Sequence, residues 1–232
     1  MDKLKMEGGK TPRYAFMSYE AIIFDLDGTL LNTIEDLTDS MNLTLSRFGF
    51  KGHDPETYKY FIGDGIETLV RRALPPESRQ EEMVARCVEI MRQEYALRWD
   101  KKTHPYPGIP ELLDALSEKG WVLSILSNKP DDSTQMVVAK LLPRWSFQVI
   151  FGSRPSVPKK PDPSAALEIA KILDLTPDQF LYLGDTGTDM KTALSAGMFP
   201  VGALWGFRTA QELLTHGAKV LIEKPLDLLQ YL

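Results

Sequence analysis

From residue 21 onward the chain alternates short, nearly uninterrupted apolar runs with longer stretches of helical period. The runs fall at 21–24, 121–126, 147–151, 180–183, 200–204 and 220–222, most of them bounded by Gly, Pro, Asp or Ser. A strand with one face in water alternates apolar and polar residues, whereas a run apolar throughout suits a strand of a parallel sheet covered on both faces. Helical stretches at 109–119, 131–142, 163–173, 188–196 and 209–216 separate the runs. Strand and helix in series predict right-handed crossovers, and hence an α/β fold built on a doubly wound parallel sheet.

One interval breaks the alternation. Residues 33–104 contain no convincing strand but carry helical stretches at 34–48, 65–73 and 77–99. In the last of these Met83, Cys87, Ile90 and Met91 share one face. An all-helical insert between the first two strands reads as a second domain, entered at Asn32-Thr33 and left through the Pro/Gly-rich segment His104-Pro105-Tyr106-Pro107-Gly108. The expected division is a loosely ordered polar leader at 1–19, a core from 20–32 plus 105–232, and a helical domain at 33–104.

Composition narrows the function classes. A length of 232 residues accommodates one large domain or two modest ones. Lys+Arg 27 against Asp+Glu 32 leaves a net charge of -5, which argues against a nucleic-acid or anionic-membrane partner while permitting a local basic pocket. No apolar run approaches the ~18 residues of a membrane span, and the first 20 residues lack the apolar centre of a secretory signal. The single cysteine, Cys87, excludes an internal disulfide and suits a reducing, cytoplasmic setting.

The candidate chemistry lies at the ends of the predicted strands. The first ends in Asp25-Leu26-Asp27-Gly28-Thr29, placing two carboxylates where open α/β sheets bind ligands; alone, such a segment also suits a solvated turn. The run at 180–183 leads into Gly184-Asp185-Thr186-Gly187-Thr188-Asp189, a second carboxylate pair. Two acidic clusters on one sheet edge raise each other's pKa unless a cation neutralises them, and so few hard oxygen ligands point to Mg²⁺. Zinc is disfavoured, because His53, His104 and His216 are scattered and Cys87 has no partner. Ser127-Asn128 follows the second strand just before a helix, where an N-cap or an anion site is expected. Pro158-Lys159-Lys160-Pro161-Asp162-Pro163 fixes a lysine in a proline-stiffened loop. Together these strand ends supply a nucleophilic carboxylate, an anion-binding hydroxyl, a fixed cation and a metal-binding pair, the equipment for phosphoryl transfer.

In these segments the chain resembles the haloacid dehalogenase superfamily, whose motifs correspond to Asp25-Leu26-Asp27-Gly28-Thr29, Ser127-Asn128, Lys160-Pro161-Asp162-Pro163 and Gly184-Asp185 with Asp189. The resemblance covers residues 19–232 and implies a Rossmann-like core with the helical insert as a C1-type cap. It implies Asp25 as nucleophile, Asp27 as general acid/base, and Ser127 and Lys160 as phosphoryl binders. Mg²⁺ would be held by Asp25, the carbonyl of Asp27 and Asp185, with Asp189 orienting the metal shell or Lys160. Gly28, Thr29 and Asn128 are expected beside the substrate. Asp27 points to phosphate monoester hydrolysis or a phosphomutase reaction, because a carboxyl two residues after the nucleophile can protonate a departing alkoxide.

Within that superfamily the segment 61–74, with its Gly63-Asp64-Gly65 turn, resembles phosphoglycolate phosphatases, as do Pro105-Tyr106-Pro107-Gly108, Ser127-Asn128-Lys129-Pro130 and Trp205-Gly206-Phe207-Arg208. The turn offers backbone N–H groups to a small carboxylate, and Arg71 or Arg72 a charge-assisted contact; glycines capping a helix and arginines on its wet face are the alternative. The expected partner is a small phosphorylated metabolite and the expected state a monomer or homodimer. A β-phosphoglucomutase-like enzyme, a pyrophosphatase, a nucleotidase and a catalytically idle scaffold are the rival readings.

Overall fold

The computed structural model describes residues 19–232. The leader expected at 1–19 therefore lies, apart from Tyr19, outside the described residues. Six parallel strands form one sheet: β1 (Ala21–Phe24), β4 (Val122–Pro130), β5 (Val149–Ser153), β6 (Phe180–Gly184), β7 (Phe199–Ala203) and β8 (Val220–Ile222), in the order β5-β4-β1-β6-β7-β8. The chain runs outward from β1 through β4 to β5, then returns to β6 on the other side. The order thus reverses at β1, the position where open sheets of this kind bind ligands.

Successive side chains of β1 serve two cores. Ile22 and Phe24 join one apolar cluster with Leu112, Leu113 and Leu116 of α5 (Ile109–Glu118) and Val137 and Val138 of α6 (Asp131–Leu141). Ala21 and Ile23 join another with Ala166 and Ile169 of α7 (Ser164–Ile172) and Ala193 of α8 (Gly187–Ala196). All four β1 residues are fully buried, which is why the run shows no polar alternation. α9 (Ala210–Thr215) lies between β7 and β8.

Residues between the first two strands of the large sheet form α1 (Ile34–Arg47), α2 (Pro55–Phe61), α3 (Ile66–Ala73) and α4 (Glu81–Ala96). They share an apolar cluster that includes Leu37, Met41, Tyr58, Val70, Cys87 and Met91 and is joined by Phe207, which follows β7. Helix α2 has no apolar period long enough to detect, but Asp54 caps it by accepting from Thr57 N, with Pro55 in its first turn. Helix α4 is shorter than the expected 77–99, because Pro75-Pro76 opens a separate tight turn at Pro76–Ser78. The two connections that flank this block pair as a short antiparallel ribbon, β2 (Leu31–Asn32) with β3 (His104–Pro105). Asp36, fully buried, accepts from Lys102 N, Thr103 N and Thr103 Oγ1 and so ties α1 to the outgoing connection.

Strand β4 runs past the expected Leu126 to Pro130, where it pairs with Ser153. Its last residues are polar yet buried, so hydropathy alone ends the strand too early. No helix among the described residues is long and apolar enough to cross a membrane.

Candidate active site

Asp25 follows β1 directly, and its N–H donates to Leu183 O of β6 at 2.9 Å. Gly28, at φ 93°, turns the chain back so that its N–H reaches Leu31 O. Asp185 follows β6, and Asp189 sits in the first turn of α8, where Thr186 caps the helix. Ser127, Asn128 and Lys129 end β4, and Lys160 comes from the loop between β5 and α7. The four predicted clusters thus meet at the C-terminal edge of the sheet, around the strand where its order reverses.

Lys160 holds the centre. Its Nζ donates to Asp25 Oδ1 at 2.7 Å, to Asp189 Oδ1 at 2.6 Å and to Leu126 O at 3.0 Å, filling its three donors. Burial by itself would lower the Lys160 pKa, but Asp189 and Asp25 outweigh it and hold the group well above its ordinary value. Burial, then the charge of Asp189, pushes Asp25 well above the carboxylate range against the opposing pull of Lys160. Asp185, fully buried, is pushed up to about 7 by burial and Asp189, although it accepts from Phe207 N at 2.7 Å and Thr29 Oγ1 at 3.1 Å.

Asp25, Asp185 and Asp189 each present a carboxylate oxygen, all within 4.8 Å of one another. Three buried carboxylates facing one ammonium leave a local excess of negative charge, and their oxygens are the donors a hard divalent cation prefers. The residues present fit such an ion. Asp189 Oδ2 also accepts from Thr186 N and Oγ1, which orients its other oxygen toward Lys160. Gly28 and Thr29 serve this cluster: Thr29 bonds Asp185, and a Cβ on Gly28 would lie 2.4 Å from Asp185 Oδ2.

A cavity of about 520 Å³ opens above the cluster, between the helical block and the sheet edge. Its polar floor includes Asp25, Asp27, Ser127, Asn128 and Lys129; Leu37, Ile62, Ile66, Leu69, Met91 and Met136 form apolar walls. Lys129 Nζ donates to Asp27 Oδ2 at 2.8 Å and to Tyr95 Oη of α4 at 3.1 Å. Asp27 holds the Lys129 pKa above its ordinary value although burial opposes it. Asp27 Oδ1 is buried without a hydrogen-bond partner. Asn128 is a clasp: its Oδ1 accepts from Lys160 N at 3.0 Å, and its Nδ2 donates to Lys160 O and to Gly63 O.

The structure brings only part of the expected 63–71 set to this cavity. Gly63 and Gly65 line it. Asp64 is engaged elsewhere, accepting from Thr188 Oγ1 at 2.9 Å and pairing with Arg72 at 2.6 Å. Arg71, expected at the substrate, does not line the cavity: it pairs with Glu67 at 3.0 Å and Glu81 at 2.9 Å on the solvent face of α3. The i,i+4 spacing of Glu67 and Arg71 already favoured that pairing. Lys129 and Tyr95, by contrast, stand in the site without having been assigned to it. Their meeting spans 34 positions and leaves no local signal in the sequence.

Comparison with known proteins agrees with this geometry. A family profile for haloacid dehalogenase-like hydrolases matches residues 22–203. The phosphoglycolate phosphatase of Aquifex aeolicus (strain VF5) is 33% identical over 186 residues, 80% of this chain and 85% of that protein. The phosphoglycolate phosphatase of Mannheimia succiniciproducens is 30% identical over 91% of this chain and 97% of its own length. Among solved structures, a haloacid dehalogenase-like family hydrolase from Streptococcus pneumoniae superposes with a TM-score of 0.84 at 28% identity, covering 92% of this chain and 98% of that one. The chain belongs to the haloacid dehalogenase-like hydrolase family, as a phosphatase of its phosphoglycolate phosphatase-like branch.

Proposed function

We propose that the chain is a Mg²⁺-dependent phosphate monoester hydrolase that works through an aspartyl-phosphate on Asp25, with 2-phosphoglycolate or a similar small phosphate as substrate. The observation that carries this reading is the bridge from Lys160 Nζ to Asp25 Oδ1 and Asp189 Oδ1, with Asp27 two residues from the nucleophile in the same cavity. Because Lys160 engages Asp25 Oδ1, the nucleophile's orientation is set before substrate arrives.

An oxygen of Asp25 attacks phosphorus, and the bond from phosphorus to the ester oxygen breaks. Asp27 gives a proton to that departing oxygen, then takes one from the incoming water. Water's oxygen bonds to phosphorus, the bond to Asp25 breaks, and inorganic phosphate leaves. Ser127 binds the phosphoryl oxygens throughout, joined by Lys160 as it turns one N–H from Asp25 to the phosphoryl group. Asp25, the carbonyl of Asp27 and Asp185 would hold Mg²⁺, with Asp189 steadying that shell; when bound, the cation offsets the charge of the carboxylates and the phosphoryl oxygens.

Residues 33–104 act as a cap that closes over the sheet edge, hinged at the paired connections 31–32 and 104–105, and its apolar walls exclude bulk water while phosphorus is attacked. The test is phosphate release with Mg²⁺ from a panel of small esters headed by 2-phosphoglycolate. The reading predicts that 2-phosphoglycolate gives the highest kcat/KM and that Asp25→Asn abolishes release from every ester. Activity that survives Asp25→Asn would contradict the mechanism, and a profile led by an unrelated ester would contradict the substrate.

A further inference from the structure

We infer that Lys129 is the subsite for a carboxylate borne on the carbon that carries the phosphate, so that the enzyme selects phosphate esters of 2-hydroxy acids. This rests on the phosphatase reading above and names what makes it selective.

An ammonium has three N–H donors. Lys129 directs one to Asp27 Oδ2 and one to Tyr95 Oη, and no side-chain or backbone acceptor among the described residues takes the third. Lys129 is only 7% exposed and lines the cavity. The ring of Tyr95, on α4 of the helical block, lies 4.8 Å from Nζ. A buried charged group with an unused donor beside a cavity is costly unless a ligand completes it, and an anion completes it best.

Position sets which anion. Lys129 Nζ is 2.8 Å from the carboxyl assigned to protonate the ester oxygen, so its remaining N–H reaches atoms two or three bonds from that oxygen. A carboxylate on the ester carbon is at that separation. The apolar walls formed by Leu37, Ile66, Leu69 and Met136 offer a carboxylate nothing, and Arg92, the other cation along the cavity, is exposed. Asp64 and Arg71 are both engaged elsewhere. The phosphoryl group keeps its own partners, Ser127 and Lys160, so the two ends of the substrate are read by different residues.

The experiment compares 2-phosphoglycolate with ethyl phosphate, which has the same carbon count and no carboxylate, in the wild type, Lys129→Met and Lys129→Arg. Both rates fall in Lys129→Met, because Asp27 loses its partner. The ratio of kcat/KM for the two esters should fall about tenfold to 100-fold, chiefly through KM for 2-phosphoglycolate, as expected for a lost charged hydrogen bond. Lys129→Arg should restore most of that ratio. A high wild-type ratio that survives in Lys129→Met would overturn the assignment to Lys129 and leave the substrate reading standing. A wild-type ratio near unity would overturn the carboxylate subsite while leaving phosphate monoester hydrolysis intact. If circular dichroism shows Lys129→Met unfolded, Lys129→Gln, which keeps a donor toward Asp27, carries the same comparison.

Discussion

Thr188 Oγ1 donates to Asp64 Oδ1 at 2.9 Å, joining the first turn of α8 to the turn that precedes α3 across 124 positions of sequence. Two further bonds reach the same turn from the sheet side, Asn128 Nδ2 to Gly63 O at 3.0 Å and Arg208 Nη2 to Ile62 O at 2.8 Å. This is how the helical block rests on the sheet edge above the cavity. Thr188→Val removes one of these bonds without touching the carboxylates, and should lower kcat/KM about three- to tenfold, the worth of one hydrogen bond. Steady-state kinetics beside a thermal melt checks this; an unchanged kcat/KM would show that the bond does not help hold the helical block over the cavity.

Lys160 is the only ammonium bonded to Asp25 and Asp189 among the described residues. Lys160→Met leaves both carboxylates buried and unpaired, and should destabilise the metal-free protein by about 3–5 kcal/mol. For a chain of this size that is a fall in Tm on the order of 10 °C. Thermal denaturation in chelator measures it, and added Mg²⁺ should recover part of the loss.

The Asp185 pKa, pushed up to about 7 by burial and Asp189, makes stability depend on pH. Between its ordinary value of 3.8 and about 7 the folded state binds more protons than the unfolded one, so stability falls as pH rises through that window. Asp25, raised for the same first reason, acts in the same direction. Chemical denaturation in chelator at successive pH values should show the decline. Asp185→Asn should make it shallower and bound Mg²⁺ should suppress it; a rise in stability across the window in chelator would contradict the assignment.

Gly28 is at φ 93°, and a Cβ there would lie 2.4 Å from Asp185 Oδ2 and 2.8 Å from Phe207 Cδ2. Gly28→Ala should therefore displace Asp185, cost on the order of 1–3 kcal/mol in backbone strain, and reduce activity more than tenfold. Gly49, at φ 74° with open space around its would-be Cβ, is the control: Gly49→Ala carries the backbone penalty alone and should leave kcat/KM within twofold. Equal losses of activity in the two variants would contradict the role of Gly28 in seating Asp185.

Most of the sheet was legible because its strands are apolar on both faces, and such runs stand out without an alignment. β2 and β3 were not, since two residues carry no period. The carboxylates, Ser127 and Lys160 were legible because each follows a strand, and a parallel sheet brings strand ends to one edge. The residues of the helical block were less so. Arg71 stands at i,i+4 from Glu67, a pairing the sequence allows, but its second partner, Glu81, ten positions on, depends on how α3 and α4 meet. The Asp27–Lys129–Tyr95 contact joins two strand ends and α4, and nothing local in the sequence marks it.

The central claim is that Asp25 carries the phosphoryl group. Rapid acid quench of the Mg²⁺-loaded enzyme during turnover of 2-phosphoglycolate, followed by peptide mass spectrometry, tests it directly. The account predicts one phosphoryl group on the peptide containing Asp25, present in the wild type and accumulating in Asp27→Asn when an activated aryl phosphate, which needs no protonated leaving group, is the substrate. Turnover with that peptide unmodified in both proteins, or phosphate on another residue, would contradict it.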